Sequence, residues 1–485
     1  MRTKESPGTT LIVYPEKHLK AIPFPFLTKV NTNGDIFFPC ENFSKKRCKL
    51  SPGTLLGTYE FGQVEDSFIR TTTPIINELM PTMSPLEKEG SREDKLKALL
   101  KNLDWKHLTP EQRKELQELI LKHPELFILG PSEVGNIQLP PAKINISDPT
   151  PVKAPRYRYP PQAQETIQEL LNEMEEKAII EPSTAAWLSP IVLVKKPDGT
   201  SRLCLDYRAV NTHLAADIYP LPRLEELVEM AAGHKYYATL DLKEAYYQVT
   251  LHEDSRDLTT FSDGVSLYRF RKLPFGLSCS PAIFSRQIAQ VLAPLIKQGW
   301  VKNYLDDVIL WAPNFQELLN RLERVFQQLT QKGVKINAAK CHIGHTSVKF
   351  LGHIVSEDGC TPDPKNVEAV VKMQRPRKVK EVRRFLGMCG FYRKHIQDFS
   401  KIATPLTNLT RTGVDFRWTE DCQLAFETLK DKLVQAPVLV RADLDREFLV
   451  TTDASNTHVG GVLSQVRDDG TSAAIGYFSR KIEGS

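Results

Sequence analysis

The stretch Trp300-Val301-Lys302-Asn303-Tyr304-Leu305-Asp306-Asp307-Val308-Ile309-Leu310-Trp311 decides how the rest of the chain is read. Apolar runs flank two adjacent carboxylates, which predicts strand, tight turn and strand with acids at the hairpin tip. A third acid, Asp241, ends another β-prone run, Ala238-Thr239-Leu240-Asp241-Leu242. Acids fixed at strand ends can gather hard divalent cations, because each oxygen ligand carries charge. An Asp-Asp pair on its own reads as an exposed turn. Apolar anchoring on both sides favours a built site here. Asp241, Asp306 and Asp307 are therefore the candidate metal-binding and catalytic trio, suited to two magnesium ions (manganese as a substitute) in phosphoryl transfer.

Three further motifs fit a phosphorylated ligand beside that trio. Ser189 to Arg208 reads as a hairpin: two apolar strands around Pro197-Asp198-Gly199, with Lys196 and Arg202 next to the turn. An ammonium and a guanidinium there could neutralise a triphosphate of about four negative charges, although a solvated surface hairpin has the same composition. Tyr246, five residues after Asp241, could pack under a sugar and exclude a 2′-hydroxyl; Tyr246 and Tyr247 also suit a core junction. Leu273-Pro274-Phe275-Gly276-Leu277-Ser278-Cys279-Ser280-Pro281 needs an irregular turn, with Ser280 as the expected N-cap of a helix. That turn could set Phe275 against a flat partner.

At 485 residues the chain has room for several domains, and a net charge of only +5 means any basic groove must be local. Lys372, Arg375, Arg377, Lys378, Lys380, Arg383, Arg384, Arg393 and Lys394 supply such a cluster, which alone reads as a solvated helix face. The eight cysteines include no CxxC pair, and Cys341, His342 and His345 lack a second cysteine cluster at zinc spacing. Reduced thiols, a polar amino terminus and no apolar run of about 18 residues predict a soluble intracellular chain.

Along the chain, residues 1–80 alternate short apolar runs (Leu11 to Tyr14, Ile36 to Phe38, Leu55 to Gly57) with turn residues and predict a small β-rich module. They contain no Asp-Ser/Thr-Gly triplet. Residues 81–150 read as a linker carrying one helix over 109–122, capped by Thr109-Pro110-Glu111-Gln112. Helical spacing begins again at Gln162, and Leu318, Leu319, Leu322, Val325, Phe326 and Leu329 make one stripe that Gly333 ends. Phe448 to Phe478 reads as three short strands.

In order and spacing these motifs resemble the reverse transcriptases of retroviruses and long-terminal-repeat retrotransposons, from about Pro151 to the carboxyl terminus. Tyr304 to Asp307 resembles the family's catalytic box, and Leu240 to Gln248 the box holding its first metal-binding aspartate. Lys196, Arg202 and Asp206 fall where fingers residues handle incoming nucleotide. Phe275 makes Leu273 to Leu277 similar to the gypsy-type version. Phe350-Leu351-Gly352-His353 is similar to the primer grip, and Phe385 to Ser400 to the region that follows the polymerase core. Pro52 to Gly57 looks like the segment following the protease in such polyproteins.

The resemblance implies an α+β multidomain chain with a right-hand polymerase of fingers, palm and thumb. Fingers and palm would span 151–345, primer grip and thumb or connection 346–415, and an incomplete ribonuclease H-like fold 416–485. It implies RNA- and DNA-templated DNA synthesis with magnesium, a primed template, deoxynucleoside triphosphates, no membrane, and the rest of a Pol polyprotein as a candidate partner. The expected location is cytoplasmic or within virus-like particles, with the nucleus left open. Phe448 to Gln465 resembles the start of ribonuclease H, where Asp453 is the one assignable acid. Its activity is expected to be lost by truncation. The competing reading is a decayed or domesticated element product that binds nucleic acid without polymerising.

Overall fold

The computed structural model describes the backbone of residues 10–15, 26–29 and 57–61, and residues 91–482 apart from 102, 104, 131, 132, 156 and 196–198. Lys196, the runs Ile36 to Phe38 and Leu55-Leu56, and residues 52–56 of the post-protease-like segment therefore lie outside the described residues. The chain divides into two units, Met1–Glu89 and Gly90–Ser485. In the first, Thr10–Pro15 runs between Phe26–Lys29 and Gly57–Phe61 as the central strand of an antiparallel sheet.

The centre of the second unit is a four-stranded antiparallel sheet, in spatial order Val301–Tyr304, Asp307–Ala312, Tyr236–Asp241 and His342–His345. Side chains alternate across a strand, so each face gathers its own core. Val308, Leu310, Ala312, Ala238 and Leu240 join the large core that includes the helices Ser280–Ile296 and Phe315–Gln331. Ile309, Trp311 and Tyr237 point the other way, into a smaller core with Val348, Phe350 and Val355. The latter three belong to the sheet Ser347–Phe350, His353–Ser356 and Gly359–Pro362, which covers that face of the palm.

Helix Phe315–Gln331 forms because its apolar stripe, Leu318 to Leu329, meets the sheet, while Asn314 caps its start by accepting from the Glu317 N–H at 2.8 Å. It ends in a Schellman motif: the Val334 N–H reaches the Leu329 carbonyl at 2.9 Å and the Gly333 N–H the Thr330 carbonyl at 3.0 Å. Gly333 sits at φ +69°, and a Cβ there would lie 2.3 Å from the Asn136 carbonyl oxygen. Only glycine meets both demands.

The stretch read as a linker differs from that reading from residue 91 onward. Helices Arg92–Lys101 and Pro110–Leu121 bury Leu96, Leu100, Leu116 and Ile120 in the large core. Residues 133–142 then strap the palm: Asn136, Ile137, Gln138 and Ala142 donate to the carbonyls of Gly333, Gln248, Lys332 and Thr250. Strap segments have no periodicity of their own, so their charge and prolines read as linker. The Thr109 capping box is present, with Thr109 and Gln112 each accepting from the other's N–H.

The fingers hold the hairpin Ile191–Lys195 with Ser201–Leu205 and a sheet of Ile180–Pro182, Leu267–Phe270 and Phe261–Ser262. Four helices, Pro364–Val371, Val379–Phe391, Phe399–Asn408 and Glu420–Val434, enclose a separate core. There Phe385 meets Phe426 at 4.5 Å between centroids. Burying each ring contributes roughly 2 kcal/mol to this core. Last come Leu449–Ala454, His458–Val466 and Ser472–Lys481, an antiparallel meander. It touches the helix Phe399–Asn408 through the Ser479 hydroxyl, which accepts from the Ser400 N–H at 2.8 Å.

Candidate active site

Asp241 is the last residue of one palm strand and Asp307 the first of its neighbour, and the register sets them directly opposite one another. Opposed residues share a face. By alternation this is the face of Tyr237, Ile309 and Trp311, so the acids sit where the cover of the Ser347–Ser356 hairpin stops. They open into a cleft of roughly 410 Å³ lined also by Thr239, Lys340, Lys349, Phe350 and Leu351. Asp306 shares a two-residue turn with Leu305, which is held at φ +53°, a left-handed conformation that costs a leucine energy.

Charge in this cleft is poorly balanced. Lys340 Nζ lies 3.9 Å from Asp241 Oδ1. Desolvation, opposed by Lys340 and reinforced by Asp306, raises the Asp241 pKa. Desolvation, then Asp306 and Asp241, raises that of Asp307. Opposed carboxylates at the mouth of a polar cleft suit a hard divalent cation. Among the described residues no three metal-ligating side chains already converge as a set. A magnesium ion fits all the same, since it takes one or two carboxylates and completes its shell with phosphate oxygens and water.

Beside the acids an aromatic and cationic group links fingers to palm. Arg202 lies 5.7 Å over the Phe275 ring, which meets Tyr246 at 4.8 Å and Tyr247 at 5.3 Å. Tyr246 also packs on Phe284 at 5.3 Å. Its hydroxyl pKa is raised by desolvation and then by the negative charge of Asp306. Arg202, Tyr246 and Phe275 thus come together next to the acids. Asp206 is engaged by other partners: a hydrogen bond from Arg208 and one from the Tyr157 hydroxyl at 3.1 Å help bring its pKa to about 2.

Ser280 is the first helical residue rather than the N-cap; Cys279 takes the cap position. The Ser280 hydroxyl donates instead to the Pro274 carbonyl at 2.7 Å, closing the turn that carries Phe275. Two residues of this neighbourhood escaped the sequence reading. Asn211 clamps the same turn, donating to the Gly276 carbonyl at 3.0 Å and accepting from the Ser278 N–H at 2.8 Å. Gln248, 1 % exposed, donates to the Lys243 and Lys335 carbonyls and accepts from the Lys335 N–H. A lone amide within an otherwise apolar and aromatic run was the available signal.

Phe350, Leu351 and Gly352 form the end of the hairpin over the palm, with Phe350 buried and Leu351 lining the cleft. On the helix Val379–Phe391, Lys380, Arg383 and Arg384 are exposed opposite buried Val382, Phe385 and Cys389. Arg393 and Lys394 are engaged internally, with the Ser479 carbonyl and with Glu225 and Glu229. Asp453 is exposed on the strand Leu449–Ala454, opposite Gly460.

Residues 194–355 match the family model for reverse transcriptase (RNA-dependent DNA polymerase), and 418–485 that for the RNase H-like domain found in reverse transcriptase. The Pol polyprotein of transposon opus from Drosophila melanogaster is 35% identical over 384 residues, covering 76% of this chain and 38% of the relative. That of transposon 412, from the same organism, is 32% identical over 374 residues, covering 76% and 30%. The Tf2-3 transposon polyprotein of Schizosaccharomyces pombe is 33% identical over 326 residues, covering 67% and 24%. The chain therefore spans between 24% and 38% of the length of these relatives. A foamy viral protease-reverse transcriptase in complex with double-stranded DNA has a TM-score of 0.71 at 25% identity, covering 89% of this chain and 75% of that one. A foamy viral protease-reverse transcriptase in complex with an RNA/DNA hybrid gives 0.68 at 25%, covering 82% and 54%.

Proposed function

Through its two matched domains the chain belongs with the reverse transcriptases of retrotransposon Pol polyproteins, and from that premise we propose that it adds deoxynucleotides to a primer 3′ end on an RNA or DNA template. The observation carrying the proposal is the register that opposes Asp241 to Asp307 with Asp306 in the adjoining turn. These acids would hold two magnesium ions, with manganese as a substitute. Bound there, such ions would supply Lewis acidity to the primer hydroxyl and to the leaving oxygen.

The remaining roles fall to the chain's own groups. Arg202, and Lys196 outside the described residues, neutralise the triphosphate. Tyr246, braced by Phe275 and Phe284, leaves no room for a 2′-hydroxyl. Phe350, Leu351 and Gly352 hold the primer end over the cleft, while the exposed thumb cations contact phosphates. The finer part of the proposal is that this polypeptide does not itself cleave RNA in hybrids. Asp453, exposed on its strand, stands opposite Gly460 rather than opposite a second carboxylate.

The deciding experiment is incorporation of dTTP on poly(rA) primed with oligo(dT), by the purified 485-residue protein. Product that needs template and is abolished by chelator is expected. Its absence in both magnesium and manganese ends the proposal in favour of a binding protein.

A further inference from the structure

The turn that projects over the acidic cleft is held by the four-helix subdomain, here termed the thumb. Leu351 and Gly352 both have positive φ, +46° and +77°, the conformation of a two-residue hairpin turn of the kind that follows strand twist. Its two carbonyls are both engaged. That of Leu351 meets His353 Nδ1 at 3.1 Å. That of Gly352 accepts twice, from the Asp363 N–H at 3.0 Å and from the Tyr392 hydroxyl at 2.8 Å. The Tyr392 oxygen in turn accepts from Asn366 Nδ2 at 3.0 Å, so its proton is directed at Gly352.

Tyr392 closes the helix Val379–Phe391, and its ring is 3 % exposed within the thumb core. The contact is close: a Cβ on Gly352 would lie 3.1 Å from the Phe391 ring and 3.4 Å from the Tyr392 oxygen. Leu351, one residue away, lines the cleft with Asp241 and Asp307. A buried phenol thus joins the thumb to the strained turn at the reacting centre.

We propose that the Tyr392 hydroxyl is a positioning group for the primer 3′ end: by holding the Gly352 carbonyl it sets where Leu351 stands over the acids. The inference rests on the polymerase reading and adds to it a route by which thumb position reaches the chemistry. Loss of one neutral hydrogen bond is small for stability. Displacement of a reacting atom by about 1 Å can nevertheless slow chemistry by about a hundredfold.

The test uses the full chain and Tyr392→Phe, which keeps the ring in place. In a rapid-quench burst experiment the burst rate should fall roughly 5- to 50-fold. Burst amplitude and primer-template Kd should stay within about twofold of wild type. Asn366→Asp should reproduce this, because a carboxylate only accepts and draws the phenol proton away from Gly352. Asn366→Ala, which leaves that proton free to donate, should remain near wild type. Amide exchange across Leu351 to Ser356 should be about tenfold faster in Tyr392→Phe. An unchanged burst rate in an active protein, a loss of amplitude alone, or unchanged exchange overturns the inference. A wild-type chain that incorporates nothing fails the polymerase reading instead, and the exchange rates still decide whether the hydroxyl holds the turn.

Discussion

Asp241 and Asp307 stand opposite each other on neighbouring antiparallel strands, one ending its strand and the other beginning its own. Sixty-six positions apart in sequence (307 − 241), they share a face only because the register is what it is. A slip of one residue would turn one of them toward the core of Val308 and Leu310.

Asp307→Asn, and separately Asp306→Asn, should abolish primer extension while primer-template binding survives. Activity above about a tenth of wild type would contradict the metal assignment. The Asp307 pKa is raised in the folded chain, so its charge opposes folding once pH exceeds the ordinary carboxylate range. The asparagine variant should therefore unfold at the same temperature as wild type or slightly higher at pH 7. A clearly lower Tm would show that the carboxylate supports the fold instead.

Tyr246→Ala should admit ribonucleotides, lowering the deoxy-to-ribo preference by at least about tenfold, which is roughly 1.4 kcal/mol. Tyr246→Phe should keep the preference, since the ring and its contacts with Phe275 and Phe284 remain. Competitive incorporation of dTTP against UTP measures both. An unchanged ratio in the alanine variant removes the gate.

Acid should weaken the thumb junction. Burial, helped by His353 and Lys394 nearby and opposed by the Pro437 carbonyl at Nδ1, brings the His395 pKa down to about 4. Between pH 6.5 and 4 the unfolded chain binds a proton the folded chain refuses, so this contribution is complete near pH 7 and is lost on acidification. From pH 7 to 5 it amounts to roughly 2 kcal/mol. Urea midpoints at the two pH values should differ less in His395→Asn than in wild type. Equal differences would exclude His395 as the source.

Gly333→Ala should cost about 2 kcal/mol or more, because the alanine meets both a left-handed backbone and the Asn136 carbonyl. Chemical denaturation would register the loss, and limited proteolysis should cut first within 133–142. A variant as stable as wild type would mean that the strap yields at little expense.

Much of this was legible in local pattern. The acidic hairpin, the helix Phe315–Gln331 and the three final strands follow from periodicity and turn residues. The face on which the acids sit was not, because it depends on which neighbour covers Tyr237, Ile309 and Trp311. Ser280 was misplaced by one residue, since a serine before proline serves a helix start from either position and the Pro274 carbonyl decided between them. Asn211 acts on backbone groups remote in sequence, which leaves no local trace, and Gln248 shows only as a lone amide in an apolar and aromatic run.

The strap bears on how this polypeptide can be dissected. The matched reverse transcriptase model begins at residue 194, yet the carbonyls of Gln248 and Thr250 find their donors at Ile137 and Ala142. A fragment trimmed to the recognisable boundary would carry raw hydrogen-bonding edges just behind Tyr246. A piece that keeps those bonds must begin before Asn136, well upstream of the boundary the family model marks.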